Sequence, residues 1–340
     1  MHTAPQIRHP LHAAEGVQRD RSERSLPPRL SCVVPCRNEA RNLTLLLPML
    51  RETLAALCTE WEVILVDDGS TDDTALVMED CIEVPGVRLI QLSRNFGKEA
   101  ALTAGLQAAQ GDVVVMLDAD LQHPVTLIPE MVERWRAGAD VVYAYRASRA
   151  DESLVKRSGT RLFYSLLNRF HRFPIPEDAG DFRLLDRRAV DALLALPERN
   201  RFMKGLYAWI GFDAVGVPYV PPPRVHGRSH FGGLRLLGLS IDGLTAFTTW
   251  PLRIVSAVGT AIAGASFAYG AYLTGVYLLY GHEVSGWTTI VVALMFFSGI
   301  QMIFAGILGE YIARIFEEVK ARPLYLVKRQ MGRGLSGGPR

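Results

Sequence analysis

Two short acidic stretches hold the residue types best suited to chemistry. The first is Asp67-Asp68-Gly69-Ser70-Thr71-Asp72, directly after an apolar run. Asp, Ser and Thr in such a position cap a following helix, because their side-chain oxygens accept from orphan backbone N–H groups. Two adjacent carboxylates equally suit recognition of a nucleotide base or ribose, and the stretch alone leaves both roles open. The second is Asp118-Ala119-Asp120-Leu121-Gln122. In extended backbone, residues two apart project to one side, so Asp118, Asp120 and Gln122 are expected to converge. Three oxygen donors so placed suit Mg2+ or Mn2+ bridging a diphosphate, since hard cations take carboxylate, amide and phosphate oxygens. The alternative is a fortuitous acidic turn, and the Asp67 motif at a neighbouring strand end counts against it. His123, directly before Pro124, reads as a turn residue rather than a ligand.

A cationic set lies further along the chain. Arg146 and Arg149 follow an apolar run, Lys156, Arg157 and Arg161 share a helical stretch with Thr160, and Arg224, Arg228 and His230 surround Gly227 and Ser229. Singly, each is what a solvated basic face looks like. As a group between an acidic site and an apolar C-terminal region, they read as a surface for a phosphate at a membrane.

Positioning these groups requires a particular framework. Leu30–Pro35, Glu62–Asp67, Val87–Leu92 and Asp112–Asp118 are short apolar runs rich in Val, Ile and Leu, and Ala139–Tyr145 adds a fifth. Helical stretches alternate with them, among them Asn38–Leu57 and Gly97–Gln110. Strands alternating with helices imply an α/β domain with a mostly parallel sheet and helices on both faces. Ligands bind at the carboxyl ends of such strands, so Pro35–Glu39, Asp67–Thr71, Ser93–Lys98 and Asp118–Gln122 are the segments of interest. None of them contains a glycine-rich phosphate loop of either familiar kind.

The composition narrows the class. The 340 residues carry a formal net charge of +2, which argues against a polybasic nucleic-acid binder. That total hides blocks of +2 over residues 1–29, −10 over 30–140, +6 over 141–250 and +4 over 251–340. At 49% hydrophobic residues, the chain is neither disordered nor collagen-like. Cys32, Cys36, Cys58 and Cys81 form no second pair at metal-ligand spacing and read as reduced thiols of a cytosolic domain. Residues 1–29 lack the apolar core of a signal peptide and read as a disordered tail.

The C-terminal third is different. Ile254–Tyr280 and Val284–Gly309 contain no charge, and at 1.5 Å per residue each exceeds a ~30 Å hydrocarbon core. Arg253 precedes the first run and Arg314, Lys320, Arg322 and Lys328 follow the second, while Gly281-His282-Glu283 between them holds no Lys or Arg. The positive-inside rule puts both flanks, and both termini, in the cytoplasm. Tyr280 and Trp287 suit an outer aromatic belt. Gly259, Ala263, Gly264 and Ala268 permit close packing within the hairpin or in a homo-oligomer. Phe231–Trp250, with Leu234, Leu237, Ile241 and Leu244 at helical spacing, suits the interface. The expected organisation is a tail (1–29), a cytosolic catalytic domain (30–230), an interfacial segment (231–251) and two membrane helices within 252–316, about 252–280 and 286–309. A cytosolic tail (317–340) completes it.

Taken together, these residues resemble glycosyltransferase family 2 in its polyprenyl-phosphate branch. The resemblance spans about Leu30 to Val327. It rests on Val33-Val34-Pro35-Cys36-Arg37-Asn38-Glu39, Val66-Asp67-Asp68-Gly69-Ser70 and Ser93-Arg94-Asn95-Phe96-Gly97-Lys98. It also rests on the Asp118 stretch, Gly180-Asp181-Phe182-Arg183-Leu184, Gly227-Arg228-Ser229-His230-Phe231 and Glu318-Val319-Lys320-Ala321-Arg322-Pro323-Leu324-Tyr325. Arg228 and His230 depart from the Glu or Lys frequent there.

The resemblance implies a GT-A fold and inverting transfer of a sugar from a nucleotide sugar to a polyprenyl phosphate at the inner membrane. It implies donor binding by Pro35, Arg37, Glu39, Asp67, Asp68, Lys98, Asp118 and Arg224, and a Mg2+ or Mn2+ ion on Asp118, Asp120 and Gln122. Arg146, Lys156, Arg157 and Thr160 would meet the acceptor phosphate, and Asp120 and Asp181 would serve catalysis. The C-terminal motif favours UDP-glucose over galactose, N-acetylhexosamine or mannose donors. A processive polysaccharide synthase would carry Gln-x-x-Arg-Trp after the catalytic region, whereas the nearest string, Met131-Val132-Glu133-Arg134-Trp135 preceded by Glu130, has Met in the Gln position and follows Asp120 too soon. A transporter would need a polar pathway that two uncharged spans do not offer, and the full acidic set at the strand ends counts against a membrane scaffold with a degenerate soluble domain.

Overall fold

Four of the apolar runs form the parallel heart of one sheet: Leu30–Cys36 (β1), Trp61–Asp67 (β2), Val87–Leu92 (β3) and Val113–Met116 (β4), in the order β3-β2-β1-β4. The computed structural model of the chain describes residues 24, 28–147, 179–199, 201–220, 222, 250–280 and 286–335. Helices Ala40–Leu57 (α1), Thr74–Cys81 (α2) and Lys98–Ala108 (α3) connect successive strands. Strands covered on both faces have no polar side to alternate with, which is why VVVM and VILV read as unbroken apolar runs.

The rest of the sheet is mixed. Ile128–Arg136 (α4) leads into Val141–Arg146 (β5), and Ala179–Asp186 (β6) inserts antiparallel between β4 and β5. Arg187–Leu194 (α5), capped by the Asp186 carboxylate accepting from Arg188 N at 2.9 Å, and Met203–Trp209 (α6) precede Ala214–Tyr219 (β7), parallel to β5. The eight-stranded order is β7-β5-β6-β4-β1-β2-β3-β8, where β8 is Val327–Gly332, antiparallel to β3. This is the GT-A class expected from the sequence.

Alternation along the strands splits the core into two layers. Cys32 and Val34 pack with Leu43, Leu46, Leu50 and Leu54 of α1 and Met131 and Trp135 of α4. Val33, Ile64 and Val66 pack on the other face with Leu102 and Leu106 of α3, Val190 of α5 and Leu206 of α6. Each fully buried aliphatic side chain contributes about 1.5–3 kcal/mol. A Cβ at Gly105 would lie 2.2 Å from Val33 Cγ1, so glycine lets α3 rest directly on β1.

Two long helices follow, Trp250–Tyr280 (α7) and Trp287–Lys320 (α8), each long and apolar enough to cross a membrane. Phe267, Leu278, Leu279, Leu294, Met295 and Met302 stand out largely exposed along them, far more apolar surface than a water-facing helix carries. Helix α8 does not stop near Gly309. It continues through Glu310–Lys320, roughly 16 Å further at 1.5 Å per residue, because those charged residues keep helical spacing and Glu310 pairs with Arg314 at 3.0 Å. The segment 317–340, expected as a cytosolic tail, contains the end of α8 and β8. The expected N-terminal tail lies outside the described residues apart from Arg24, Pro28 and Arg29. The interfacial segment lies outside them but for the start of α7.

Candidate active site

A cavity of about 340 Å³ opens at the carboxyl ends of β1, β2 and β4. Its walls include Pro35, Arg37 and Glu39 after β1, Asp68 after β2, Lys98 at the start of α3, and Asp118 and Asp120 after β4. Seven of the sequence-predicted residues are thereby brought together.

The two carboxylates of the first motif do different things. Asp68 reaches the cavity wall while its oxygens accept from Phe96 N (2.7 Å) and Gly97 N (3.0 Å), tying the β2 turn to the β3 turn. Burial raises its pKa, opposed by those two N–H groups and by Arg37. Asp67 is fully buried behind the cavity and accepts from Ser70 N (2.9 Å) and Gln91 Nε2 (2.9 Å). Gly69 turns the chain at φ +64° with the Arg94–Asn95 backbone so near that a Cβ would sit 2.5 Å from it. Only glycine fits there.

The second motif departs from its expected shape. Strand β4 ends at Met116, Ala119 and Asp120 turn, and Leu121 adopts φ +61°, so the backbone is not extended to Gln122. The turn forms because Asp120 Oδ1 accepts from Gln122 N at 3.1 Å, a bond unavailable to an extended chain. Asp118 and Asp120 both line the cavity, whereas Gln122 Oε1 accepts from Arg146 Nη2 at 3.5 Å. Arg146, expected at the acceptor phosphate, thus stands beside an expected metal ligand. Lys156, Arg157, Thr160 and Arg224, with Arg149, Arg161, Arg228 and His230, lie outside the described residues.

Lys98 bridges two carboxylates, its Nζ 2.6 Å from Asp118 Oδ1 and 2.7 Å from Asp181 Oδ2 on β6. Burial works against the ammonium, but the two carboxylates overcome it and hold its pKa above the usual range. Burial would raise Asp181, yet Lys98, Lys204 and Arg183 outweigh it and keep the carboxyl ionised well below the usual range. Glu39 is raised by burial and by Asp120, Asp118 and Asp72, while Asn42 Nδ2 donates to it at 2.5 Å.

His123 is more than a turn residue. Its ring stacks on Phe182 (centroids 5.0 Å), and its Nδ1 accepts from Asp118 N at 3.1 Å, fixing the carboxylate that follows β4. Burial lowers its pKa despite Asp118, so the ring is neutral with its proton on Nε2. The only advance signal was its place five residues after Asp118. Gln91, which donates to Asp67, and Glu99, whose carboxyl feels Asp181 and Lys98, carried no signal in the sequence.

The donor set fits a hard divalent cation. Among the described residues no three His, Cys, Asp or Glu side chains converge as a metal cage. Asp118 and Asp120 offer carboxylate oxygens on one cavity wall, and a cation, the Lys98 ammonium, already seats on Asp118. One or two carboxylates completed by substrate phosphate oxygens is the habit of Mg2+.

Comparison with known proteins gives a consistent pattern. The family description "Glycosyl transferase family 2" matches residues 31–194. A bactoprenol glucosyl transferase of Shigella phage SfII is 42% identical over 306 residues, 88% of this chain and 98% of that protein. An uncharacterized glycosyltransferase of Synechocystis is 43% identical over 304 residues, 89% of this chain and 96% of that one. Glucosyl-3-phosphoglycerate synthase from Mycobacterium tuberculosis, solved with Mn2+, UDP and phosphoglyceric acid, is 22% identical with a TM-score of 0.44 over 64% of this chain and 76% of that one.

Proposed function

The chain belongs to glycosyl transferase family 2, and from that premise we propose that it transfers glucose from UDP-glucose to a polyprenyl phosphate at the cytosolic face of a membrane. The observation that carries this reading is likeness over 88–89% of the chain to bactoprenol glucosyl transferases 41–42% identical to it. The acidic cavity is the donor site, with Pro35, Arg37, Glu39, Asp68 and Lys98 around the nucleotide sugar and Asp67 holding the turn beneath it. Arg146, Lys156, Arg157 and Thr160 meet the acceptor phosphate, and Arg224 the donor diphosphate. Asp118, Asp120 and Gln122 would hold Mg2+ or Mn2+, which when bound supplies positive charge to the departing nucleoside diphosphate.

The chemistry asks little of a base. A phosphate monoester, with a second pKa near 6, is already largely ionised at neutral pH. Its oxygen attacks the anomeric carbon as the bond to the nucleoside diphosphate breaks, inverting that centre. Catalysis then rests on holding acceptor and donor in line. Asp181 fits a helper's role: ionised and paired with Lys98, it is a poor proton acceptor and a good anchor for the cation beside Asp118. Lys98 in turn can follow negative charge as it develops on the leaving group.

A donor panel assayed with undecaprenyl phosphate in detergent, with and without EDTA, tests the reading. UDP-glucose should turn over fastest, and EDTA should stop it. Asp120→Ala should lower turnover by about 100-fold or more, the scale of losing a main electrostatic group. Asp181→Asn should retain more activity. Equal losses would contradict the self-activated acceptor, and hydrolysis unaffected by the lipid phosphate would contradict the acceptor itself.

A further inference from the structure

Three residues from three strands stand in one row of the sheet: Asp67 on β2, Gln91 on β3 and Arg329 on β8 are direct cross-strand partners. Residues opposed in this way project from the same face. Their side chains join end to end. Arg329 Nε donates to Gln91 Oε1 (2.8 Å), and Gln91 Nε2 donates to Asp67 Oδ2 (2.9 Å). The other Asp67 oxygen accepts from Ser70 N (2.9 Å), and Ser70 Oγ accepts from Asn38 N (3.0 Å). Asn38 lies between Arg37 and Glu39, which form the cavity wall. At its far end the Arg329 guanidinium is held by Glu79 of α2.

Each link has a fixed direction. A guanidinium can only donate, so Arg329 commits Gln91 to present its carbonyl toward β8 and therefore its NH2 toward Asp67. Without Arg329 the Gln91 carbonyl loses its anchoring donor, so the amide NH2 is held less firmly against Asp67 Oδ2. A buried carboxylate deprived of a donor is costly, and the Asp67–Ser70 turn is what would give.

We propose that Arg329 is a positioning residue for the donor site, acting through Gln91 and Asp67 on the turn that carries Asp68 and on Asn38. The strand following both apolar helices thereby becomes part of the nucleotide site. This rests on the reading of the cavity as the nucleotide-sugar site.

The test is UDP binding by calorimetry on the full-length protein in detergent, paired with steady-state KM values for UDP-glucose and undecaprenyl phosphate. Arg329→Ala should weaken UDP binding and raise the donor KM about 5- to 10-fold, the net scale of one ordinary hydrogen bond, leaving the acceptor KM unchanged. Gln91→Glu keeps an acceptor for Arg329 but cannot donate to Asp67, so it should show the same donor-specific loss. Lys328→Ala, on an exposed neighbour in β8, should change neither KM. Asp68→Asn separates the nucleotide role of the cavity from the positioning role of Arg329. If it leaves UDP binding intact, the nucleotide reading of the cavity fails. If it weakens binding while Gln91→Glu and Arg329→Ala leave the donor KM unmoved, or shift donor and acceptor KM alike, the positioning role is overturned. Should Arg329→Ala fail to fold, Gln91→Glu alone decides by the same criterion.

Discussion

Glu99, in the first turn of α3, has a buried Oε2 without a hydrogen-bond partner among the described residues. Burial, with the Asp181 carboxylate adding to it, pushes this carboxyl up to about 8, against the opposing pull of Lys98 and Lys204. Its folded pKa is therefore above its unfolded one. Between about pH 4.5 and 8 the folded state binds the extra proton, so stability falls as pH rises through that window. Glu99→Gln should flatten this slope. The melting temperature of the wild type should drop more from pH 5 to pH 8 than that of the variant, and parallel curves would refute the assignment. Residue type and spacing made Asp118 and Asp120 legible in the sequence. They could not separate Asp68 on the cavity wall from Asp67 behind it, because that choice is made by the turn and by Gln91 on the next strand.

The parallel elements were readable because each apolar run is local and bounded by a turn. The elements that were missed are defined by partners remote in sequence. Strand β6 enters between β4 and β5, and β8, with the sequence VKRQMG, has an exposed face and no clear apolar alternation. Yet β8 covers the edge of β3, fixed by Ser93 N donating to Leu326 O (2.8 Å) and by the Tyr325 hydroxyl on Gln107 of α3. Removing it would expose a row of unpaired backbone groups on a buried-type strand, an invitation to pair with another chain. A chain ended after Ala321 should melt several degrees lower, the scale of losing a few kcal/mol in a domain of this size, and should elute as aggregate in detergent. An unchanged melting temperature and monodisperse elution would mean β8 is ornamental to the sheet.

At the scale of the whole molecule, a net charge of +2 conceals a gradient. The −10 block holds the cavity's carboxylates, the +6 block holds the cations proposed for a lipid phosphate, and the +4 block flanks the apolar helices. Helix α8 extends beyond its uncharged stretch, and Glu318 near its end accepts from Arg199 N at 2.8 Å. The helix that would cross the bilayer is thus tied directly to the catalytic sheet's side of the molecule. With Arg253, Arg314, Lys320 and Arg322 at the two flanks and no Lys or Arg in Gly281-His282-Glu283, only a hairpin with its loop outside satisfies the positive-inside rule. Cysteine labelling can check this cleanly. Cys32, Cys36 and Cys58 are buried, burial pushes the Cys58 thiol up to about 11, and thiols so raised stay protonated and unreactive at neutral pH. Cys81 is partly exposed and is replaced by Ser. In that background, an impermeant maleimide on intact cells should label Ser285→Cys at once and Lys328→Cys only after permeabilisation. The reverse pattern would put the acidic cavity on the wrong side of the membrane for a cytosolic nucleotide sugar.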